Sequence, residues 1–428
     1  MNKTKKNMIL FLVGKLVSLF GTRIYGFAMS LYILKVTGSA LNFAITILLS
    51  TVPSLIFGPI GGVIADKLDR KKMVLLTDFF SGVIMFVAFL LSQIYGLQLF
   101  IIYISTIFLS ILNTLFSTGF DAALPNLVDD DKLGKINSYN QAINSLSSII
   151  APILGGVIYA LVPATYFILF NGVSFVLSAI SESFIEFYWK VDRKVQKINI
   201  KEVNFFDDIK NGFNYIKKKS DLMIVLEACL FINFLFTALA VSIPHLLVVQ
   251  FAVSDKAYGG IEAAFGVGSL LMSILFANKL GKFKPIKTGI YLMILASSFI
   301  LCSIPLIFIL LATIPNFVPI YYGVVNFIIG SIIILINIPL VVYIQETSDD
   351  EYRGRVMALV TTIASAITPL GFLLHGLILD FIPTWIIIIY AGAGVCLISL
   401  RMIIKFNHTE VKDHNRQELT KQVVPAEN

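Results

Sequence analysis

The sequence predicts an all-α membrane protein with twelve transmembrane helices in two pseudo-symmetric six-helix halves. Three observations predict this fold class: an excess of apolar residues, their grouping into long blocks, and a repeat between the halves of the chain. Of the 428 residues, 57% are hydrophobic and 14% are charged, whereas soluble domains carry about 25% charged residues. The mean hydropathy is +0.86. This composition excludes an ordinary soluble protein.

The apolar residues form blocks of about 18 residues or more, each long enough to cross a bilayer as a helix. A transmembrane β-barrel would instead show segments of about ten residues with alternating polarity, and the sequence lacks that pattern. In chain order, the predicted spans are 8–34, 40–65, 73–93, 97–124, 137–161, 164–188, 222–249, 258–280, 286–311, 316–345, 356–381 and 384–405.

The basic residues predict the orientation of these spans. If both termini are cytoplasmic, the predicted cytoplasmic segments hold 29 of the 33 Lys and Arg residues. Cytoplasmic loops of membrane proteins carry such an excess. We therefore expect a multi-pass protein of a bacterial-type cell membrane, with the lipid bilayer as its surroundings. The net charge of +7 then reflects topology, and no nucleic-acid partner is expected.

An internal repeat supports the division into halves. Adding 220 to the residue number aligns VDDDKLGKINS (128–138) with SDDEYRGRVMA (348–358), and it also aligns Gly156 with Gly376. Two parallel six-helix repeats are a plan of secondary transporters, with the substrate site between the halves near the membrane midplane. The predicted parts are a first half, a charged cytoplasmic linker, a second half and a tail expected to be disordered, at 1–188, 189–221, 222–405 and 406–428.

The stretch GGVIADKLDRKKM (61–73) resembles the loop motif between the second and third helices of the major facilitator superfamily. The matching residues are Gly62, Asp66, Lys67, Arg70, Lys71 and Lys72. Asp69 stands where the family usually has glycine, and this form is similar to the macrolide-efflux branch of drug:proton antiporters. Further stretches that resemble that branch are VTGSAL (36–41), YNQAINSLSSIIAPILGG (139–156) and DEYRGRVMAL (350–359).

The resemblance implies an inner latch and an antiporter motif. Asp66 would cap the eleventh helix and so close the inner side, and Arg70 would pair with Asp121 at the end of the fourth helix. The alternative is a plain basic loop that follows the positive-inside rule, which explains Lys71 and Lys72. In the fifth span, Pro152, Gly155 and Gly156 resemble the antiporter motif, with Ala151 in place of its first glycine.

Ionisable residues inside spans mark transport pathways by default, and four of them are candidates for proton or substrate coupling. Arg23 lies in the middle of the first span. Lys15 and Glu227 occupy equivalent positions in the two halves under a second, weaker repeat offset of 212 residues. We hypothesise that they pair when the inner side is closed; two independent charges are the alternative. Glu262 is the fourth candidate.

No enzyme, cofactor or metal site is predicted. The sequence has no P-loop pattern, and its three cysteines each stand alone in apolar spans. We expect a monomer that exports small amphipathic, macrolide-like compounds by alternating access, in exchange for protons. Two alternatives remain: a dedicated exporter of an endogenous metabolite such as a siderophore, and a membrane receptor or scaffold that does not transport.

Overall fold

A computed structural model describes residues 3–67, 69–124, 132–185, 213–276, 285–303, 317–349 and 352–423. Over these residues it contains twelve long helices, one for each predicted span, so the predicted fold class is confirmed. They are α1 Lys3–Thr37, α2 Ala40–Lys67, α3 Arg70–Tyr95, α4 Leu99–Ala123, α5 Leu133–Tyr159, α6 Ala164–Ser183, α7 Ser220–His245, α8 Asp255–Phe276, α9 Pro285–Ser303, α10 Phe317–Thr347, α11 Arg353–Leu379 and α12 Thr384–Val423.

Eleven of these helices are long and apolar enough to cross a membrane, and α9 has a shorter apolar part, Lys287–Cys302. A π-helical turn, Leu246–Gln250, continues α7. The apolar part of α12 ends at Phe406, one residue beyond the predicted span, although the helix continues further. The part of the predicted linker before residue 213 lies outside the described residues.

Local sequence explains several helix boundaries. Asp69 is the N-cap of α3, where its Oδ1 accepts hydrogen bonds from the backbone N–H groups of Lys71 (2.9 Å) and Lys72 (3.4 Å). This is the favoured role of aspartate before a helix. Gly38, with φ +62°, turns the chain from α1 into α2, because glycine adopts this conformation without steric cost.

Within each set of six helices, neighbours pack closely. In the first set, α1 packs on α5 and α6, α3 packs on α4 and α6, and α2 packs on α4. In the second set, α7 packs on α11 and α12, α10 packs on α8 and α9, and α9 packs on α12. The main contacts between the sets are α5 with α8 and α2 with α11. These two helix pairs determine how the sets meet.

Large apolar side chains are exposed on the outer faces of the bundle. Examples are Leu90, Ile94, Leu177 and Leu397, which lie on α3, α6 and α12 and are more than half exposed. Such a surface would be unfavourable in water. It suits the hydrocarbon interior of a bilayer, as the predicted membrane location requires.

Candidate functional site

The two ends of the bundle differ in how the helix sets meet. We call the end where α1 begins and α2 ends the terminal end, and the opposite end the distal end. At the distal end, Asp380 follows α11 and lies over the first turn of α2. Its Oδ1 accepts a hydrogen bond from the backbone N–H of Ala40 (3.0 Å), and its Oδ2 accepts one from the Ser39 hydroxyl (2.9 Å). The first N–H groups of a helix lack partners within the helix, and the Asp380 carboxylate accepts from one of them. This contact joins α11 of the second set to α2 of the first.

A second distal contact is an ion pair between Lys35 on α1 and Asp255 at the start of α8. Lys35 also lies over the ring of Tyr159, 5.4 Å from its centroid. The Lys35 side chain is 36% exposed and that of Asp255 is 16% exposed, so water screens the pair in part. Together with Asp380, this ion pair holds the sets together at the distal end.

The predicted antiporter motif lies in the same closed region. A Cβ atom on Gly156 would lie 3.1 Å from Cα of Gly259 on α8, and a Cβ on Gly259 would collide with the carbonyl oxygen of Pro152. Gly155 instead faces the ring of Phe27 on α1. Small residues let membrane helices approach closely. The motif therefore forms the α5–α8 contact between the two sets.

Around the predicted latch at the terminal end, the described residues leave space beside two glycines. A Cβ atom on Gly62 or on Gly354, at the start of α11, would meet no described atom within 4 Å. Arg70 donates a hydrogen bond from Nη1 to the carbonyl oxygen of Ala122 (2.7 Å), while the neighbouring Asp121 is exposed. The side chain of Asp66 lies outside the described residues. The cap by Asp66 and the Arg70–Asp121 pair therefore stay predictions.

A cavity of about 690 Å³ lies among α1, α2 and α4. Its charged lining residues are Arg23, exposed on α1, and Asp121, near the terminal end of α4. Serine and threonine dominate the remaining wall, and they are Thr22, Ser30, Thr46, Ser50, Ser54, Thr106, Ser110, Thr114, Ser117 and Thr118. Hydroxyl groups are thus spread over a wall that also has apolar parts, and they can form hydrogen bonds with a solute.

Several of these hydroxyl groups already donate to backbone carbonyl oxygens. Examples are Thr46 to Asn42 (2.9 Å), Ser110 to Ser50 (2.6 Å) and Thr118 to Thr114 (2.8 Å). A hydroxyl that has donated its hydrogen keeps its lone pairs as acceptors. These positions therefore offer acceptors to a ligand, whereas Arg23 offers donors.

A second cavity of about 290 Å³ lies between α2 and the helices α7, α8 and α10. Ile47 lines both cavities, so the two spaces adjoin at α2. Glu262 is the charged residue in its lining, which is otherwise mainly apolar and includes Phe43, Phe236, Tyr258 and Phe265. The structure thus places Arg23 on the hydroxyl-rich wall of the first set and Glu262 on the aromatic wall of the second.

The structure does not bring Lys15 and Glu227 together. The Lys15 ammonium donates a hydrogen bond to Asn140 Oδ1 (2.6 Å) and lies 4.3 Å from the centroid of the Phe120 ring. Glu227 binds Arg401 on α12 (2.5 Å). Glu227 thus faces a helix of its own set, and its pairing with Lys15 in a closed state stays a prediction.

Sequence reasoning missed the distal contacts. In the sequence, three charged residues near predicted external loops belong to no motif that would mark them as a contact: Lys35, Asp255 and Asp380. One signal was available: α2 and α11 each carry an aspartate at their C-terminal end, Asp66 and Asp380, and these ends lie on opposite sides of the membrane. Reading both as helix caps would have predicted one latch at each end.

Comparisons with known proteins agree with this architecture. Residues 11–371 match the Major Facilitator Superfamily model. The chain is 25% identical over 384 residues to Macrolide efflux protein A of Streptococcus pyogenes, covering 89% of this chain and 91% of the relative. It is 28% identical over 233 residues to the putative bacilysin exporter BacE of Bacillus subtilis (strain 168), covering 52% and 53%.

A solved structure supports the fold. A bacterial homologue of the iron transporter ferroportin, in an inward-facing state, superimposes with a TM-score of 0.65 at 18% identity, covering 92% of this chain and 97% of that chain. One conclusion follows from the twelve helices in two sets, the second cavity between these sets, and the family match over most of the sequence. The chain is a transporter of the major facilitator superfamily.

Proposed function

We propose that this protein is a secondary active exporter of small amphipathic compounds, such as macrolides, driven by proton influx. The observation that carries the proposal is the pair of adjoining cavities, one with a hydroxyl-rich wall and one with an aromatic wall. A ligand with a polar and an apolar face suits both walls. The similarity to a macrolide efflux protein over most of both chains supports the same class of substrate.

The asymmetry of the two ends supports alternating access. Asp380 and the Lys35–Asp255 pair join the sets at the distal end, whereas the described residues at the terminal end leave space beside Gly62 and Gly354. With both termini in the cytoplasm, this is a state open to the inside. In our proposal, closure of the inner side by Gly62 and Asp66, with Arg70 bound to Asp121, produces the opposite state.

A drug-sensitive bacterial strain that expresses the full chain tests the proposal. We expect it to accumulate less of the macrolide erythromycin than the same strain with an empty vector, and a protonophore should abolish the difference. Asp66→Asn should weaken export, whereas Glu346→Gln, a change of an exposed carboxylate at the end of α10, should leave it unchanged. Equal accumulation with and without the protein would refute macrolide export, and export that resists the protonophore would refute proton coupling.

A second candidate function is export of an anionic metabolite made by the cell. Arg23 favours it, since this cation lines the larger cavity and has no ion-pair partner among the described residues. The likeness to a putative bacilysin exporter over about half of both chains is compatible with it. Arg23→Gln separates the candidates: it should abolish transport of an anionic substrate but only moderately reduce transport of a cationic macrolide. If the protein transports neither anionic metabolites nor macrolides, the result would favour the alternative of a receptor or scaffold.

A further inference from the structure

Two acidic side chains are buried inside the first helix set, away from both cavities. Asp78 on α3 is 1% exposed and Glu182 on α6 is 2% exposed. The Ser18 hydroxyl of α1 donates to Asp78 Oδ1 (3.4 Å), and the Ser178 hydroxyl donates to Glu182 Oε1 (3.3 Å). Carboxyl groups rarely occupy such positions without a compensating charge. Their burial therefore needs an explanation.

The second oxygen of each acid lacks a partner. Neither Asp78 Oδ2 nor Glu182 Oε2 has a hydrogen-bond partner among the described residues. The two acids also lie against adjacent turns of α1, because Asp78 binds Ser18 and Gly14, one turn earlier, lies against Glu182. Two carboxylates that share a buried site cannot both stay ionised. At least one bound cation is required, and the unpartnered oxygens are where it would bind.

Within the part of the chain that the structure describes, the surrounding charges do not supply that cation. On α1, Lys15 is directed to Asn140 and Arg23 lines the large cavity. On α3, Lys71 donates to the carbonyl oxygens of Ser183 (2.9 Å) and Ile185 (2.6 Å), at the end of α6. On α4, which packs against α3, Asp121 is exposed on the cavity wall. None of these groups forms an ion pair with either buried acid among the described residues.

Close packing favours a proton over a larger ion. A Cβ atom on Gly14 of α1 would lie 3.2 Å from Cγ of Glu182 and 3.3 Å from the Ser178 hydroxyl oxygen. The backbone of α1 thus lies directly against the acidic pair, and a hydrated metal ion would have to displace it. A proton adds almost no volume and converts one acceptor oxygen into a hydrogen-bond donor.

We propose that Asp78 and Glu182 together hold one exchangeable proton, and that this is the proton exchanged for substrate; the second part rests on the proposed function. An O–H bond forms on one carboxyl oxygen when a proton arrives from water, and it breaks when the proton is released at the cytoplasmic end of α6. Loss of the proton leaves two repelling carboxylates against α1. That helix also carries Arg23 in the cavity and Lys35 in the distal contact, so the pair is placed to affect binding and closure together.

The first test is infrared difference spectroscopy of the purified full chain in lipid vesicles over a pH series. We expect a protonated-carboxyl C=O band that titrates in the wild type, persists in Glu346→Gln and is lost in the double variant Asp78→Asn with Glu182→Gln. Each single variant should shift the pH midpoint of the band. A band that survives in the double variant, or is missing in the wild type, would overturn the site. A band seen only without Na⁺ would assign the site to sodium and overturn the proton.

The second test separates coupling from transport in the same vesicles, with labelled erythromycin as the probe. The double variant should still exchange erythromycin across the membrane when its concentration is equal on both sides. Its accumulation driven by a pH gradient should fall by about tenfold. The swap variant, Asp78→Glu with Glu182→Asp, keeps two acids at the site and should keep gradient-driven accumulation. It tests the coupling role even if the double variant folds poorly. Full gradient-driven accumulation in the double variant would refute the coupling role. If the wild type moves no erythromycin, the proposed substrate fails, and the infrared result still decides whether the proton site exists.

Discussion

Loss of the Asp380 cap should open the distal end. Asp380→Ala removes the acceptor for the N–H of Ala40 and for the Ser39 hydroxyl, and loss of a helix cap costs about 1 kcal/mol. The Lys35–Asp255 pair is partly exposed, and pairs of this kind contribute about 0–1 kcal/mol. The cap should therefore dominate. A combined loss of one to two kcal/mol corresponds to a change of about 5–30-fold in the ratio of the two states.

Cysteine labelling measures this ratio. In a variant without the three native cysteines, Ser30→Cys places a thiol on the wall of the large cavity. A membrane-impermeant reagent added outside should label it slowly in the reference protein, and about fivefold faster after Asp380→Ala. Asp380→Asn is the matched control, since asparagine also accepts hydrogen bonds at helix starts. Equal labelling rates for alanine and asparagine would show that the cap does not hold the distal end closed.

Three further predictions follow from other contacts. Gly259→Ala should weaken distal closure by overpacking against α5, which typically costs about 1–3 kcal/mol, whereas Gly260→Ala, with no described atom within 4 Å of its Cβ, should not; the labelling assay compares them. The Lys219 hydrogen bond holds the pKa of Asp349 below its usual value, and Tyr215 and Asp349 raise the pKa of Lys219. Protection of the 213–219 segment against hydrogen exchange should therefore fall at acidic pH, as Asp349 gains a proton, and at strongly alkaline pH, as Lys219 loses one. Arg23→Lys should keep more anion transport than Arg23→Gln, measured as uptake into inverted vesicles.

Hydropathy and charge predicted the number and order of the helices because burial in lipid is a property of each segment alone. The distal contacts could not be predicted in this way. Ala40 and Asp380 are 340 positions apart in the chain, and no local pattern records which helix ends meet. Such contacts depend on how the two sets dock, which is decided by close packing at positions such as Gly156 and Gly259.

The rotation of each helix was equally hard to predict. Glu227 lies on α7, which is apolar on nearly all sides, so its sequence has no face that marks the cavity. The structure turns Glu227 toward Arg401 on α12. Asp78 and Glu182 show the same difficulty: each is the one acid of its helix, and only the packing of α3 and α1 on α6 reveals that they are neighbours.

The position of Asp380 indicates how the predicted cap by Asp66 would act. Helices α2 and α11 lie side by side between the two sets, and each ends in an aspartate, Asp66 at the terminal end and Asp380 at the distal end. When two rigid sets rock about a central contact, closing one end opens the other. The predicted cap by Asp66 would then compete with the cap by Asp380. Removing one cap should favour the state held by the other. Asp66→Asn should therefore slow labelling of the Ser30→Cys thiol from outside, while Asp380→Ala speeds it. Shifts in the same direction would mean that the two aspartates do not act as opposing latches.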